Sequence, residues 1–297
     1  PQEGVFFPPP PTLASTESSL PASASGSLNF THYARDSILE LMRQDERVTV
    51  LTAAMCQGNK LEPVRDEFPE RFFDVGICEG HAVAFAAGQA KAGLRPIVAI
   101  YSTFLQRSLD QIFQEVALQN LPVTFMLDRS GLAGPDGPTH HGVFDLGYLR
   151  IFPNLTLMAP ADGEDLRRML QFSIQHPGPC AVRYPKAGAP LISRQVADLE
   201  LGQSEQLAAG SDGTIVSYGA LLDQALAARE ELAAEGMDVG VLNARFVKPL
   251  DRQALAGVLS DSPFVVTVEE AALAGGFGSA VLEIASEMQL AGNRLQC

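Results

Sequence analysis

The sequence predicts an α/β protein: two domains, each with a mainly parallel sheet covered by helices. Short runs rich in β-branched residues alternate with longer amphipathic stretches from residue 29 onward. No run alternates cleanly with period two, as a half-exposed strand would. One weakly patterned stretch, 186–212 (KAGAPLISRQVADLELGQSEQLAAGSD), interrupts the series and marks a domain boundary.

The elements follow in order. A helix over about 33–43 precedes the apolar run VTVLTA at 48–53. FFDVGI at 72–77 leads straight into a helix that opens on Glu79, and Phe72 and Ile77 are expected in the core. PIVAIYS at 96–102 precedes a helix through Gln119, and PVTFMLD at 122–128 enters a Gly/Pro-rich loop. LTLMAP at 155–160 precedes a helix over about 163–174, and CAVRYP at 180–185 closes the first unit. The second unit reads TIVSYG, a helix over about 221–235, VGVLNAR, a short helix, FVVTVEE and GGFGSAVLEIASEM. That makes three strands, with an unfinished fourth at RLQC. No repeat of solenoid period is visible.

Composition narrows the function. The net charge is −14 and no basic stripe appears, which argues against a nucleic-acid surface. The longest apolar stretches are strand-sized, far short of a membrane-spanning helix. Cys56, Cys78, Cys180 and Cys297 are scattered with no CxxC pair, so reduced thiols and a cytoplasmic location are expected, without structural zinc. Residues 1–28 are Pro/Ser/Ala-rich and lack the features of a signal or transit peptide, so they read as a disordered connector. The chain begins at Pro1 and stops at GNRLQC without a helix cap, which reads as a fragment of a longer protein.

In open parallel sheets, ligands bind beyond the carboxyl ends of the strands. Polar residues gather there: Glu79 and His81, then Tyr101, Ser102 and Thr103, then Asp128 and Arg129, and finally Arg183. Each singly has a plainer reading; Asp128 or Thr103 also suits a helix cap or turn. Glu79 is the hardest to dismiss, because a carboxylate opens a helix otherwise filled with Ala, Gly and small apolar residues. The loop DRSGLAGPDGPTHHG (128–142) fixes its backbone with four glycines and two prolines. It carries Arg129, Asp136, His140 and His141 as charged and proton-transfer groups, although a long surface loop of turn residues would look similar. Adjacent His140 and His141 point apart and make a poor metal pair. The stretch GSDG at 210–213, with Asn243 thirty residues beyond Gly213, imitates a diphosphate motif. It precedes its strand rather than following it, so a turn is expected.

Taken together, FFDVGICEGHAVAFAAG, IYSTFLQRSLDQIFQEVALQNLPV, DRSGLAGPDGPTHHGVFDL, VRYPK, LNARFVKPLD and VTVEEAALAGGFGS resemble the 1-deoxy-D-xylulose-5-phosphate synthase family. These are thiamine-diphosphate enzymes related to transketolase, and the resemblance runs over about 29–297. It implies a tail or linker at 1–28, a transketolase-like pyrimidine-binding domain at 29–186, a linker at 187–204, and a truncated transketolase C-terminal domain at 205–297. The family's first domain, which grips diphosphate and Mg²⁺, has no counterpart here and is expected in cis or on another chain. The reaction implied condenses pyruvate with glyceraldehyde 3-phosphate, losing CO₂, toward isoprenoid precursors and thiamine. A homodimer is implied, with the small residues behind Glu79 packed across its axis.

Residue by residue, the resemblance implies that Glu79 hydrogen-bonds N1′ of the aminopyrimidine ring and activates the cofactor. Phe104 would stack on that ring, with Arg107 one turn beyond. Tyr101, Arg129 and Arg183 would bind the acceptor's phosphate, and Asp136 and His140 would relay protons in the substrate channel. Metal ligands would lie on the first domain, none on this chain, which alone is expected to be inactive. Two departures stand out: Gly80 where the family has Gln (EQH), and CQGNK (56–60) in place of a GTGL-like stretch. Two other readings remain open, a beta-type subunit of a two-chain thiamine-diphosphate enzyme and a non-catalytic remnant.

Overall fold

The computed structural model describes residues 28–194, 196, 198–289 and 295–296. Nearly all of the expected connector, 1–27, and Cys297 lie outside them.

Helix α1 (Phe30–Gln44) starts where the Asn29 side chain accepts the His32 N–H at 3.0 Å, and it buries Phe30, Ala34, Ile38, Leu41 and Met42. Strand β1 (Val48–Thr52) follows, then short helix α2 (Glu62–Glu67), β2 (Phe72–Asp74), α3 (Glu79–Lys91) and β3 (Arg95–Tyr101). Two short helical pieces, α4 (Ser102–Leu105) and α5 (Leu109–Gln111), lead to β4 (Thr124–Asp128). Next come α6 (Asp145–Leu149), β5 (Thr156–Met158), α7 (Gly163–Gln175) and β6 (Cys180–Arg183).

These strands form one sheet in the order β2-β1-β3-β4-β6-β5, all parallel. Neighbouring residues on a strand go to opposite cores. Val50, Ile97, Met126 and Val182 pack under α1 and α7, whereas Leu51, Val98, Leu127 and Ala181 pack under α3. Apolar side chains are needed on both faces, which is why the strands read as continuous runs rather than alternating ones.

The second unit contains β7 (Glu205–Ala208), β8 (Gly213–Ser217), α8 (Leu222–Ala234), β9 (Val239–Asn243), β10 (Phe246–Lys248), α9 (Arg252–Asp261), β11 (Val265–Val268), α10 (Phe277–Glu287) and β12 (Leu295–Gln296). Its sheet runs β12-β11-β8-β9-β7, parallel except for β7. Strand β10 leaves this unit and pairs antiparallel with β5, so the two units share the first sheet's edge. GSDG at 210–213 precedes its strand as expected, bending at 211–212 before β8: Ser211 N–H donates to Asp238 Oδ2 at 3.0 Å, and Asp238 N–H to Asp212 Oδ2 at 2.7 Å.

Several elements differ from the sequence reading; β10, α2 and α6 were not expected, and three further differences bear on the site and the sheets. The β2 strand ends at Asp74, because its carboxylate turns back to accept from Ala54 N–H (2.8 Å) and Gly76 N–H (3.0 Å). Gly76 then takes φ +70°, and Ile77, expected in the core, projects outward at 81% exposure. The helix expected from 103 to 119 is broken into α4, a 3₁₀ turn, α5 and a wide π-turn over Ile112–Ala117. The breaks let Phe104 and Arg107 stay at the strand ends while Ile112, Val116 and Ala117 reach the core. Strand β7 went unread because an edge strand with one partner carries polar, half-exposed residues.

A buried ion cluster ties the seam. Arg194 reaches Asp162 and Asp165 at 2.8 Å each and Glu205 at 3.3 Å, while Arg245 approaches Asp165 at 3.5 Å. Truncating one partner of such a cluster strands buried charge. Arg194→Ala is therefore expected to lower the unfolding free energy by about 3–5 kcal/mol, read from urea denaturation. Arg194→Lys, which can keep one carboxylate contact, should fall between the two proteins.

Candidate active site

The carboxyl ends of β2, β1, β3 and β4 follow one another along one edge of the sheet, with Tyr101 paired in register to Asp128. The turn after β2 delivers Glu79 to the start of α3, where its carboxylate is only 3% exposed. No side chain caps this helix end, so the positive end of the α3 dipole faces the carboxylate. Arg107 Nη1 sits 2.7 Å from Glu79 Oε1, although its own side chain is 56% exposed.

From Arg107 an unbroken line of contacts runs across the site. Its guanidinium lies 5.2 Å from the Phe104 ring centre. Phe104 stacks beside Tyr101 at 5.9 Å and takes the edge of His140 at 5.3 Å. Arg129 in turn lies 3.9 Å over the Tyr101 ring. Burial pushes the Tyr101 phenol up, keeping it protonated.

Arg129 is held in the left-handed region, φ +60°, a strained setting for a side-chain-bearing residue. Its Nη1 donates to Gly58 O at 2.9 Å and pairs with Asp128 Oδ2 at 2.9 Å. Its buried Nε has no hydrogen-bond partner and faces Asp136 Oδ2 at 3.8 Å. Asp136 is bonded by Lys186 Nζ at 2.6 Å; that ammonium, with Arg129 and His140 adding to it, holds the carboxyl below its ordinary value. Thr103 Oγ1 donates to Thr139 O at 3.3 Å, fastening α4 to the loop.

Glu79, Arg107, Phe104, Tyr101, Arg129, Asp136 and His140 thus converge on one strand-end edge. Arg183 does not join them. Its Nε binds Asp145 at 2.9 Å, Nη1 binds Tyr218 Oη at 3.1 Å, and Nη2 binds Glu270 O at 3.1 Å. Burial opposes its charge, but Asp145, Tyr218 and Glu270 together more than offset this and the guanidinium stays charged. The void beside it is about 10 Å³, at most one water's room, so in this arrangement the guanidinium is committed to these protein partners. His81 stacks on Phe85 at 6.0 Å on an exposed face.

Several contributors went unread. Gly58, within CQGNK, both receives Arg129 and makes room for Tyr101, whose hydroxyl would lie 1.6 Å from a Cβ there. Gly80 faces Gln111, whose Oε1 would lie 3.3 Å from a Cβ, so Gln111 brings a carboxamide beside position 80. Lys186 was visible only as the last letter of VRYPK. Among the described residues no three His, Cys, Asp or Glu side chains gather as a metal site, and no helix is long and apolar enough to cross a membrane.

Comparison with known proteins agrees with this architecture. The family described as "Transketolase, pyrimidine binding domain" matches residues 26–190, and "Transketolase, C-terminal domain" matches 202–295. A 1-deoxy-D-xylulose-5-phosphate synthase of Rhodopirellula baltica is 58% identical over 97% of this chain and 46% of its own length. A synthase of that name from Geobacter sulfurreducens is 50% identical over 92% of this chain and 43% of its own. The chain thus spans about half the length of these curated relatives. Among solved structures, a split gene transketolase described as an inactive beta4 tetramer has a TM-score of 0.82 at 29% identity. That match covers 91% of this chain and 88% of the other. The chain belongs to the transketolase family and carries its pyrimidine-binding and C-terminal domains.

One group beside the site titrates unusually. Burial pushes the Asp128 carboxyl up from 3.8 to about 6, with Arg129 and the Thr31 hydroxyl pulling the other way. The folded state therefore binds this proton more tightly than the unfolded chain does. Its contribution to stability is full below about pH 4 and is lost as pH rises through about 6. The Asp128 carboxyl carbon resonance is expected to titrate near pH 6; a midpoint below pH 4 would contradict this (about the unperturbed value).

Proposed function

We propose that this member of the transketolase family provides the aminopyrimidine-binding and C-terminal portions of a 1-deoxy-D-xylulose-5-phosphate synthase. The observation that carries the reading is Glu79: a buried carboxylate at a helix start, near a half-exposed aromatic ring, held by an arginine that reaches in from solvent. The synthase relatives, which align over nearly the whole chain, supply the reaction class.

The residues fit an aminopyrimidine ring. Phe104 offers an aromatic ring for stacking, and Glu79 offers a buried oxygen acceptor for a ring nitrogen. When bound, thiamine diphosphate supplies the electron sink for loss of CO₂ from pyruvate. Glu79 holds the proton at N1′ and fixes the ring's orientation, and Phe104 excludes water from its face. Arg129, with an unpartnered buried Nε, and Tyr101 hold the phosphate of glyceraldehyde 3-phosphate. His140 and Asp136 carry protons to and from the acceptor. Arg183 contributes by ordering Asp145 and Ser130 behind the loop. Mg²⁺ and the diphosphate belong to a diphosphate-binding domain, in cis or on another chain, and a homodimer completes the site. The reading places the protein in the cytoplasm.

A second reading is favoured by the split gene transketolase, whose chain corresponds to this one over nearly its whole length. In that reading the chain is a beta-type subunit completed by a separate partner.

The test joins this chain to, or mixes it with, a diphosphate-binding domain of a related synthase, thiamine diphosphate and Mg²⁺. Pyruvate- and aldehyde-dependent CO₂ release is expected from the combination and not from this chain alone. Turnover only with the fused domain favours the synthase, and equal turnover with a separate domain favours the subunit. In the active combination, Glu79→Ala is expected to slow exchange of the cofactor's C2 proton by about 10²–10⁴-fold. Full exchange in that variant would remove Glu79 from its role, and robust turnover by this chain alone would overturn the dependence on a second domain.

A further inference from the structure

The loop that carries Asp136 and His140 is closed by the second unit of the chain. Glu269 and Glu270 follow β11 and turn in opposite directions. The Glu269 carboxylate accepts from Phe277 N–H at 2.7 Å and Gly278 N–H at 3.0 Å, which caps α10 and fixes the backbone of the pair. The Glu270 carboxylate instead points at the loop, where Oε1 accepts from Leu132 N–H at 2.8 Å. It lies over Gly131, at φ +82°, where a Cβ would come within 2.3 Å of Glu270 Cδ. Two residues on, Ala272 N–H donates to Val143 O at 2.8 Å. Residues 270–272 therefore engage the loop both where it leaves β4 and where it returns. Between those points Gly131 and Gly142 exchange two backbone bonds of 2.8 Å, and Ala133 N–H donates to His141 Nδ1 at 3.0 Å.

We propose that Glu270 is a positioning residue: its carboxylate latches the 131–142 loop so that His140 is held against Phe104. The division of labour between the two glutamates carries the argument. Glu269 serves its own unit, whereas every side-chain bond of Glu270 described above goes to the loop. A carboxylate accepting from a backbone N–H is stronger than a neutral acceptor, and only glycine at 131 leaves space for it. The C-terminal unit thereby sets the place of an imidazole carried by the other unit. The proposal rests on the proposed function for what that imidazole does, but the latch is tested without turnover.

The experiment is amide hydrogen exchange on this chain, with the His140 ring resonances followed in parallel. Glu270→Ala is expected to speed exchange at Leu132 and across 131–142 by about tenfold, the worth of one hydrogen bond. Amides of β11 and α10 should keep their wild-type rates, and the ring-current shift that Phe104 imposes on His140 should shrink. Glu270→Gln, which keeps an acceptor oxygen, should return exchange to within about threefold of wild type. Unchanged loop exchange and His140 resonances in Glu270→Ala would overturn the proposal, as would acceleration spread equally over α10 and β11. A reaction assay that fails while this exchange pattern holds would count against the proposed function and not against the latch.

Discussion

The buried pair of Arg183 and Asp145 is the contact on which the site's framework depends. Both side chains are almost fully enclosed, at 5% and 0% exposure. A pair so placed loses its hydration and recovers it only through good geometry and further hydrogen bonds. Here the further bonds are what organise the molecule. Asp145 also accepts from Ser130 at the root of the 129–142 loop, and Arg183 also reaches Tyr218 and the backbone of Glu270. One ion pair thus fixes the end of β6, the start of the loop and two segments of the second unit. Loss of either charge would leave the other stranded at the junction of all four.

The same arrangement explains what the sequence disclosed about the fold. The core strands β1, β3, β4 and β6 are buried on both faces, so each announced itself as an uninterrupted apolar run. Elements at the margins had no such constraint. Strand β7 has a single neighbour and keeps polar residues, and β10 is three residues long and joins the sheet of the other unit. Ile77 misled because an apolar run was read past the point where the Asp74 carboxylate turns the chain. Nothing in the composition of FFDVGI marks that turn; it depends on a backbone N–H donated by Ala54, twenty residues earlier.

The candidate site shows a similar division. Residues that stand at strand ends, Glu79, Tyr101 and Arg129, were legible because topology alone puts those ends together. Phe104 and Arg107 needed the family resemblance, since neither sits at a position that periodicity singles out, whereas Asp136 stood out by its place in the Gly/Pro-rich loop. Gly58, Gln111 and Glu270 escaped both routes. Their roles are relations across the chain: a glycine that leaves room for a hydroxyl, an amide that fills space beside another glycine, a carboxylate that reaches a loop amide. Arg183 is the instructive opposite. Its position at a strand end suggested a ligand, but the acid facing it comes from α6, whose approach no local pattern records.

A carboxylate as enclosed as Glu79 could not stand unpaired, because an isolated buried charge is far costlier than a paired one. Its partner resolves the difficulty unequally. Arg107 keeps most of its side chain in water and rests its guanidinium over Phe104, so the desolvation of the pair falls almost entirely on the glutamate. An arginine so placed can return to solvent with little loss of its own, whereas one enclosed like Arg183 cannot. The two arginine–carboxylate pairs therefore behave as opposites built from the same chemistry. The enclosed pair holds the scaffold in one arrangement; the half-open pair supports a buried carboxylate through a partner that stays in contact with water.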